Sequence, residues 1–389
     1  MGELDVKIRE QVTALIERAV AQGEVPCANV LVLRGGEEWF YAEGGRDLGT
    51  GRPLRRDAIF RLYSQTKPVT AAAVALLVER GVLDVLEPVE KYLPGFAHPR
   101  VLTRDGAVPA NRSVTLMDLL DMKAGLSYPG DDPAGKYVAD LFRENTEQIR
   151  QGGGMTTRDL ANAIGQLPLA FQPGEEWRYS TCADVLGAVV EAADGRPFAR
   201  FLQEEFFAPL GMTDTAFWVP EEKQDRFVTC ARRTPRGLEP WRDMHLCVGR
   251  YDREPAFASG GAGLVSTLDD YARFATMLRN GGVYAGRRYL SAATVRWLTS
   301  GDERRSGGHP SWDGYDYSKL MRICVQPSRA GGLATLGEYG WDGWLGTYFM
   351  NFPEADLTLL VGINVTDTGT CPLTRRIRNA VLAEAGREA

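Results

Sequence analysis

The stretch Phe60-Arg61-Leu62-Tyr63-Ser64-Gln65-Thr66-Lys67-Pro68-Val69-Thr70-Ala71-Ala72-Ala73 decides the fold. It holds the one Ser-x-x-Lys of the chain; twelve Ser and seven Lys among 389 residues would supply that spacing by chance about 0.2 times. Residues 64 to 80 read as an apolar, Ala-rich helix stopped by Gly81, with Pro68 in the first turn, where a missing N–H costs little. Residues three apart share a helical face, so the Lys67 amine can reach the Ser64 hydroxyl. At a helix start the Ser64 N–H points outward, free to donate to an oxyanion. A lysine among apolar neighbours loses its charge easily and can then accept the serine proton. A capping serine beside a solvated lysine leaves the same spacing, so the pair needs company.

Two distant segments offer it. In Phe171-Gln172-Pro173-Gly174-Glu175-Glu176-Trp177-Arg178-Tyr179-Ser180-Thr181, Tyr179 stands at a loop-to-helix junction. A phenol there can point into a cleft, and a cationic lysine nearby would ease its proton loss, making it a base and then an acid. In Gly340-Trp341-Asp342-Gly343-Trp344-Leu345-Gly346-Thr347, glycines entering a strand let a ligand or backbone come close. A packed core-edge tyrosine and a bulge with two surface tryptophans are the plain alternatives. Gly130-Asp131-Asp132-Pro133-Ala134-Gly135-Lys136-Tyr137 approaches a phosphate-binding loop. Tyr137 replaces the metal-binding hydroxyl residue and two aspartates would repel phosphate, so this segment reads as a turn.

Around these motifs the pattern is strands at both ends and helices between. Ile8, Val12, Leu15, Ile16 and Ala19 place an amphipathic helix over 5–22. Residues 28–33, the turn Arg34-Gly35-Gly36 and residues 39–41 read as strand, turn, strand. From Leu83 to about Arg253 helical segments alternate with long loops. A capped start lies at Thr115 to Leu120, with Asp118 at its positive end, and a helix spans Val185 to Ala193. Thr267 caps a helix running to Asn280; residues 347–352 and 357–364 form a hairpin; a last helix covers about 373–384. One sheet built from both ends, with a helical region inserted, follows.

Composition removes other classes. A net charge of −6 with pI near 5.4 provides no basic face for nucleic acid. The longest apolar stretch, 69–78, is half of what a membrane helix needs, and the start of the chain shows no secretory signal, so the expected compartment is the cytoplasm. Six scattered cysteines form no C-x-x-C pair and read as reduced, buried thiols. His98, His245 and His309 stand in no H-E-x-x-H, and G-x-S-x-G is absent. Hydrolytic chemistry must therefore find a base outside a histidine motif.

Taken in order, Ser64-x-x-Lys67, Tyr179-Ser180-Thr181 and Trp341-Asp342-Gly343 resemble the serine β-lactamase and D,D-peptidase superfamily, above all the class C β-lactamase-like esterases (family VIII-type carboxylesterases). Leu119-Leu120 to Gly125-Leu126, Pro209-Leu210-Gly211-Met212-Thr213-Asp214-Thr215 and Ser259-Gly260-Gly261-Ala262-Gly263-Leu264 extend the resemblance over most of the chain. It implies an α/β (α+β) fold, an antiparallel sheet flanked by helices with an inserted all-helical domain. The sheet domain would comprise 1–82 and 254–389, the insert 83–253, and the active site the cleft between them. Ser64 would form an acyl-enzyme, with Lys67 and Tyr179 sharing base and acid roles. The backbone N–H groups of Ser64 and Trp344 would hold the oxyanion, and Thr181, Trp341, Asp342 and Gly343 would meet the substrate. No metal or organic cofactor is implied, and the partner would be a small ester or amide, not nucleic acid or membrane.

Two departures shape the substrate. Penicillin-recognising members usually begin the third motif with Lys or His, which favours a substrate carboxylate; Trp341 is neutral, and Asp342 adds negative charge if it faces the cleft. The middle motif usually ends in Asn, where Thr181 offers only a hydroxyl. Esterases of this branch also begin the third motif with Trp. The expectation is a carboxylesterase for small-acyl esters, with a D-stereospecific peptidase or amidase, a β-lactamase, an acyltransferase or a catalytically silent sensor as alternatives.

Overall fold

The apolar run that starts the first strand is buried on both faces, and that dictates the architecture around it. The computed structural model describes residues 3–305 and 313–387; His309 lies outside them. Strands β1 (Cys27–Arg34), β2 (Glu37–Gly45), β3 (Tyr315–Ser318), β4 (Met321–Cys324), β5 (Tyr339–Asp342), β6 (Tyr348–Phe352) and β7 (Leu357–Gly362) form one antiparallel sheet. Its order is β3-β4-β5-β6-β7-β1-β2, so β7 beside β1 joins the two ends of the chain. The expected hairpin at 347–364 is β6–β7, and Arg34-Gly35-Gly36 turns β1 into β2.

Side chains alternate across the sheet. Val30, Val32, Tyr348, Met350, Leu359 and Val361 face outward onto helices α1 (Glu3–Ala21), through Ile8, Val12 and Ile16, and the C-terminal helix, through Ile377 and Val381. Leu31, Leu33, Trp341, Phe349 and Leu360 face inward onto a second core. The centre of that core is α2 (Lys67–Glu79), whose residues from Lys67 to Leu77 are all buried. Its small alanines admit close neighbours, so α2 packs flush against the helix over Cys182–Asp194. Tyr63–Thr66, just ahead, is a 3-10 turn rather than the α-helix expected from Ser64 onward.

The middle segment departs from its reading in two ways. It is not purely helical: Arg100–Thr103 pairs with Gly106–Pro109, and Ala231–Thr234 with Gly237–Pro240. Each turn rests on one glycine at positive φ, Gly106 at 119° and Gly237 at 117°, and four-residue strands carry too little alternation to be read. Second, the segment read as a turn at 130–137 opens helix α3 (Pro133–Arg150). Asp132, taken as a phosphate repellent, is its cap, accepting from the N–H groups of Ala134 and Gly135. Backbone bridges from Ala216 to Val265, Phe227 to Ile59 and Ala231 to Val365 tie the end of this segment to the sheet-bearing part.

Helices α4 (Cys182–Asp194), α5 (Leu268–Arg279) and α6 (Pro372–Ala385) follow the sequence reading closely. Gly195 at φ 88° closes α4, and the Thr267 hydroxyl accepts from the Asp270 N–H at the start of α5. Thr115 and Asp118 form a reciprocal capping box on the short helix Leu116–Leu120. Among the described residues no helix is long and apolar enough to cross a membrane.

Candidate active site

The 3-10 turn leaves Ser64 half-buried and Lys67 wholly buried beneath it. Tyr63, just before the serine, holds φ 46°, a conformation that a bulky residue adopts only under restraint. Its ring is buried against Trp344 at 5.1 Å and His245 at 5.8 Å, which supplies the restraint. The Lys67 Nζ lies 3.1 Å from Ser64 Oγ, 3.0 Å from the Tyr128 hydroxyl and 2.9 Å from the Gly261 carbonyl. Complete burial pulls its pKa down to about 7, against the opposing charge of Asp184. A neutral amine has two protons and one lone pair. The Gly261 carbonyl must take a proton and the Tyr128 oxygen can take the other, which leaves the lone pair for the Ser64 hydroxyl.

Tyr179 enters from the loop ahead of α4. Its oxygen accepts from Trp341 Nε1 at 2.9 Å and is hydrogen-bonded to Ser64, while its ring centroid lies 4.6 Å from the Lys67 amine. The expectation that the lysine makes this phenol acidic is overturned. Burial raises its pKa far above the ordinary value, and the hydrogen bonds to Ser64 and Trp341 offset only part of that. Burial also weakens the hold of Lys67 on its proton, so less positive charge is left to ease proton loss from the phenol. Burial thus moves the two groups in opposite directions, the amine towards its free form and the phenol towards its protonated form.

The other expected residues divide. Gly343 reaches the site as backbone: a Cβ there would lie 2.2 Å from the Leu62 carbonyl, so only glycine lets this strand end press against the nucleophile turn. Trp344 follows it, its indole N–H bonded to Asp367 at 2.8 Å and its ring stacked on His245 at 4.1 Å. Thr181 does not meet the cleft; it is fully buried, its hydroxyl turned to the Ser127 carbonyl at 3.4 Å, because α4 starts there. Asp342 does not face the cleft either. It pairs with Tyr348 on the outer face of the sheet, 3.9 Å from Arg322, as strand alternation after the inward Trp341 demands.

Sequence reasoning missed Tyr128, Asp184 and His245. Tyr128 sits two residues past the quoted Gly125-Leu126, and nothing in that spacing singles it out. His245, set aside with the other histidines, backs the Trp344 wall. Trp177, Tyr179, Tyr317 and Trp341 form a second aromatic wall, with Tyr317 edge-on to Trp341 at 4.9 Å.

A serine hydrogen-bonded to a buried lysine at the start of a core helix, beside an antiparallel sheet flanked by helices, matches a serine hydrolase of the β-lactamase and penicillin-binding type. Comparison with known proteins is more specific. The family model described as Beta-lactamase matches residues 12–384, and the chain belongs to that family. It is 34% identical over 388 residues to Esterase EstB of Burkholderia gladioli, covering 95% of this chain and 94% of that one. A putative D-alanyl-D-alanine carboxypeptidase of Escherichia coli K12 is 25% identical, over 85% of this chain and 73% of its own. Among solved structures, EstCE1, described as a hydrolase with promiscuous acyltransferase activity, superposes with a TM-score of 0.83 at 25% identity, over 97% of this chain and 99% of that one.

Proposed function

We propose that the protein is a carboxylesterase acting on neutral esters of small acyl groups through an acyl-enzyme on Ser64. One observation carries the substrate side: the first residue of the third motif, Trp341, spends its one donor on the Tyr179 oxygen and brings no charge to the cleft. Arg322, the cation beside that strand, is on the outer face with Asp342. The two aromatic walls suit an apolar acyl or alcohol group. The likeness to EstB supports the same reading.

In this mechanism Ser64 Oγ gives its proton to the Lys67 amine as it bonds to the ester carbonyl carbon. The backbone N–H groups of Ser64 and Trp344 hold the oxyanion. As the tetrahedral species collapses, the carbon–alkoxide bond breaks, Tyr179 donates a proton to the leaving oxygen, and the Lys67 ammonium restores the phenol. Water then attacks the acyl carbonyl, Lys67 takes its proton, and Ser64 leaves with a proton returned by the same pair. Ser64, Lys67 and Trp341 come from the sheet-bearing part and Tyr128 and Tyr179 from the middle segment, so we place the reaction in the cleft between them. The cytoplasm suits six cysteines that are buried and unpaired.

The test is direct. The kcat/KM for p-nitrophenyl butyrate should exceed that for benzylpenicillin at least ~10²-fold. A fluorophosphonate probe should label the wild type and not Ser64→Ala. Strong penicillin turnover with negligible hydrolysis of p-nitrophenyl acetate or butyrate refutes the substrate assignment.

A further inference from the structure

Asp184 lies under the catalytic lysine and has no part in the reaction just described. It occupies the first turn of α4 and is 4% exposed. A carboxylate so buried is destabilising unless it is paired and hydrogen-bonded. Its Oδ1 accepts from Ser259 Oγ at 2.5 Å and from the Gly261 N–H at 3.0 Å. The carbonyl of that same Gly261 accepts from Lys67 Nζ at 2.9 Å. One glycine thus binds the carboxylate with its N–H and the catalytic amine with its C=O.

The loop that carries this glycine has no freedom to drift. A Cβ on Gly261 would stand 2.9 Å from Asp184 Oδ2, and one on Gly260 would stand 2.3 Å from the Ala183 carbonyl, so the loop is pressed onto α4. Thr70 of α2 donates to the Gly260 carbonyl at 2.7 Å, and the Ala262 N–H to Ser259 Oγ at 2.9 Å. The loop is pinned to the carboxylate on one side and to the helix of the lysine on the other.

We infer that Asp184 is a positioning residue for Lys67: through Gly261 it holds the carbonyl that fixes the amine's lone pair on Ser64. The inference rests on the reading of Ser64 as nucleophile and Lys67 as base. Ser64, Tyr128 and the Tyr179 ring touch the Lys67 amine, Asp184 and Cys182 act on it electrostatically from α4, and Asp342 does so through the sheet from its outer face. Of these, Asp184 is the foremost electrostatic opponent of the burial that lowers the lysine. Burial raises the Asp184 carboxyl in turn, while Ser259, the Lys67 charge and the Gly261 N–H pull it back. A lysine without this counter-charge would be free at lower pH and a weaker base.

The experiment is Asp184→Asn, in which the side-chain oxygen keeps both acceptor bonds while the charge is lost and an NH2 group takes the place of Oδ2. The pH profile of kcat/KM for p-nitrophenyl butyrate is measured from about pH 5 to about pH 9, normalised to the sites a fluorophosphonate titrates. The acid limb should move to lower pH, raising relative activity below the wild-type midpoint roughly threefold for each half pH unit moved, while the plateau kcat falls. A lowered plateau with an unmoved limb is what a purely structural role gives, and it overturns the inference. Should Asp184→Asn yield no labelled protein, Ser259→Ala decides. It strips the shorter hydrogen bond, lets the carboxylate take up a proton, and must move the limb the same way; an unmoved or raised limb overturns the inference. Wild type that takes no label would instead refute the nucleophile reading.

Discussion

At the scale of single residues, the proposed proton transfer uses two groups displaced in opposite directions by burial. Lys67 sinks to about 7, and Tyr179 is held protonated. Because the free amine is the active form, kcat/KM should rise with pH through about 7 and level off above it. A limb that instead rises only near the ordinary lysine range would show that Lys67 is not the base. Tyr179→Phe should lower kcat at least ~10²-fold, as losing an acid does. Trp341→Phe keeps the ring between Tyr179 and Tyr317 but removes the 2.9 Å bond to the phenol. About tenfold should go from kcat, with KM little changed, because one hydrogen bond that orients the acid is lost. That Ser64, Lys67 and Tyr179 meet was legible from the helical spacing of the first pair and the junction position of the third. The direction of the Tyr179 displacement was not, because it follows from how deeply the phenol itself is buried.

At the scale of elements, what matters is how closely β5 approaches the 3-10 turn. Gly343 lies against the Leu62 carbonyl, and the Thr347 hydroxyl donates to that same carbonyl at 3.0 Å. Gly343→Ala puts a methyl where backbone stands, so the strand end and the serine turn must separate. An ångström of displacement there should reduce kcat/KM by about 10²-fold or more, read by ester kinetics, while circular dichroism shows the sheet intact. Unchanged kinetics would mean that the approach is slack. The elements were legible where period and caps agreed, as in α1, the β6–β7 hairpin and Thr267 at the start of α5. They were missed where one residue had two readings. Asp132 looked like a charge that repels phosphate and is the cap of α3, bonded also to Arg178 at 3.0 Å. Thr181 looked like a motif hydroxyl and is buried at the start of α4. Both errors share a cause: a polar side chain that caps or begins a helix cannot be told, from sequence, from one that awaits a ligand.

At the scale of the whole molecule, β7 beside β1 makes the two ends one sheet, and that sheet carries a fully buried amine in the core it covers. The join was legible from strands at both ends; the cost of the amine was not. In the unfolded chain Lys67 holds its proton up to its ordinary value of 10.5, whereas the native fold releases it at about 7. Between these values the unfolded state binds more protons, so stability rises with pH across that window and is lost as pH falls through it. Below about 7 both states are protonated and the native one keeps an ammonium that its core disfavours. Lys67→Met fills similar space without charge. It should abolish ester hydrolysis yet raise the unfolding temperature by about 2–4 °C at neutral pH. The gain should be largest at and below pH 7 and shrink as pH rises past 10.5, above which the wild-type amine is neutral in both states. Calorimetry of both proteins across that range reads the difference. A variant less stable than wild type at every pH would mean that the bonds from Lys67 to Ser64, Tyr128 and Gly261 outweigh its burial, and that the base stabilises the fold it serves.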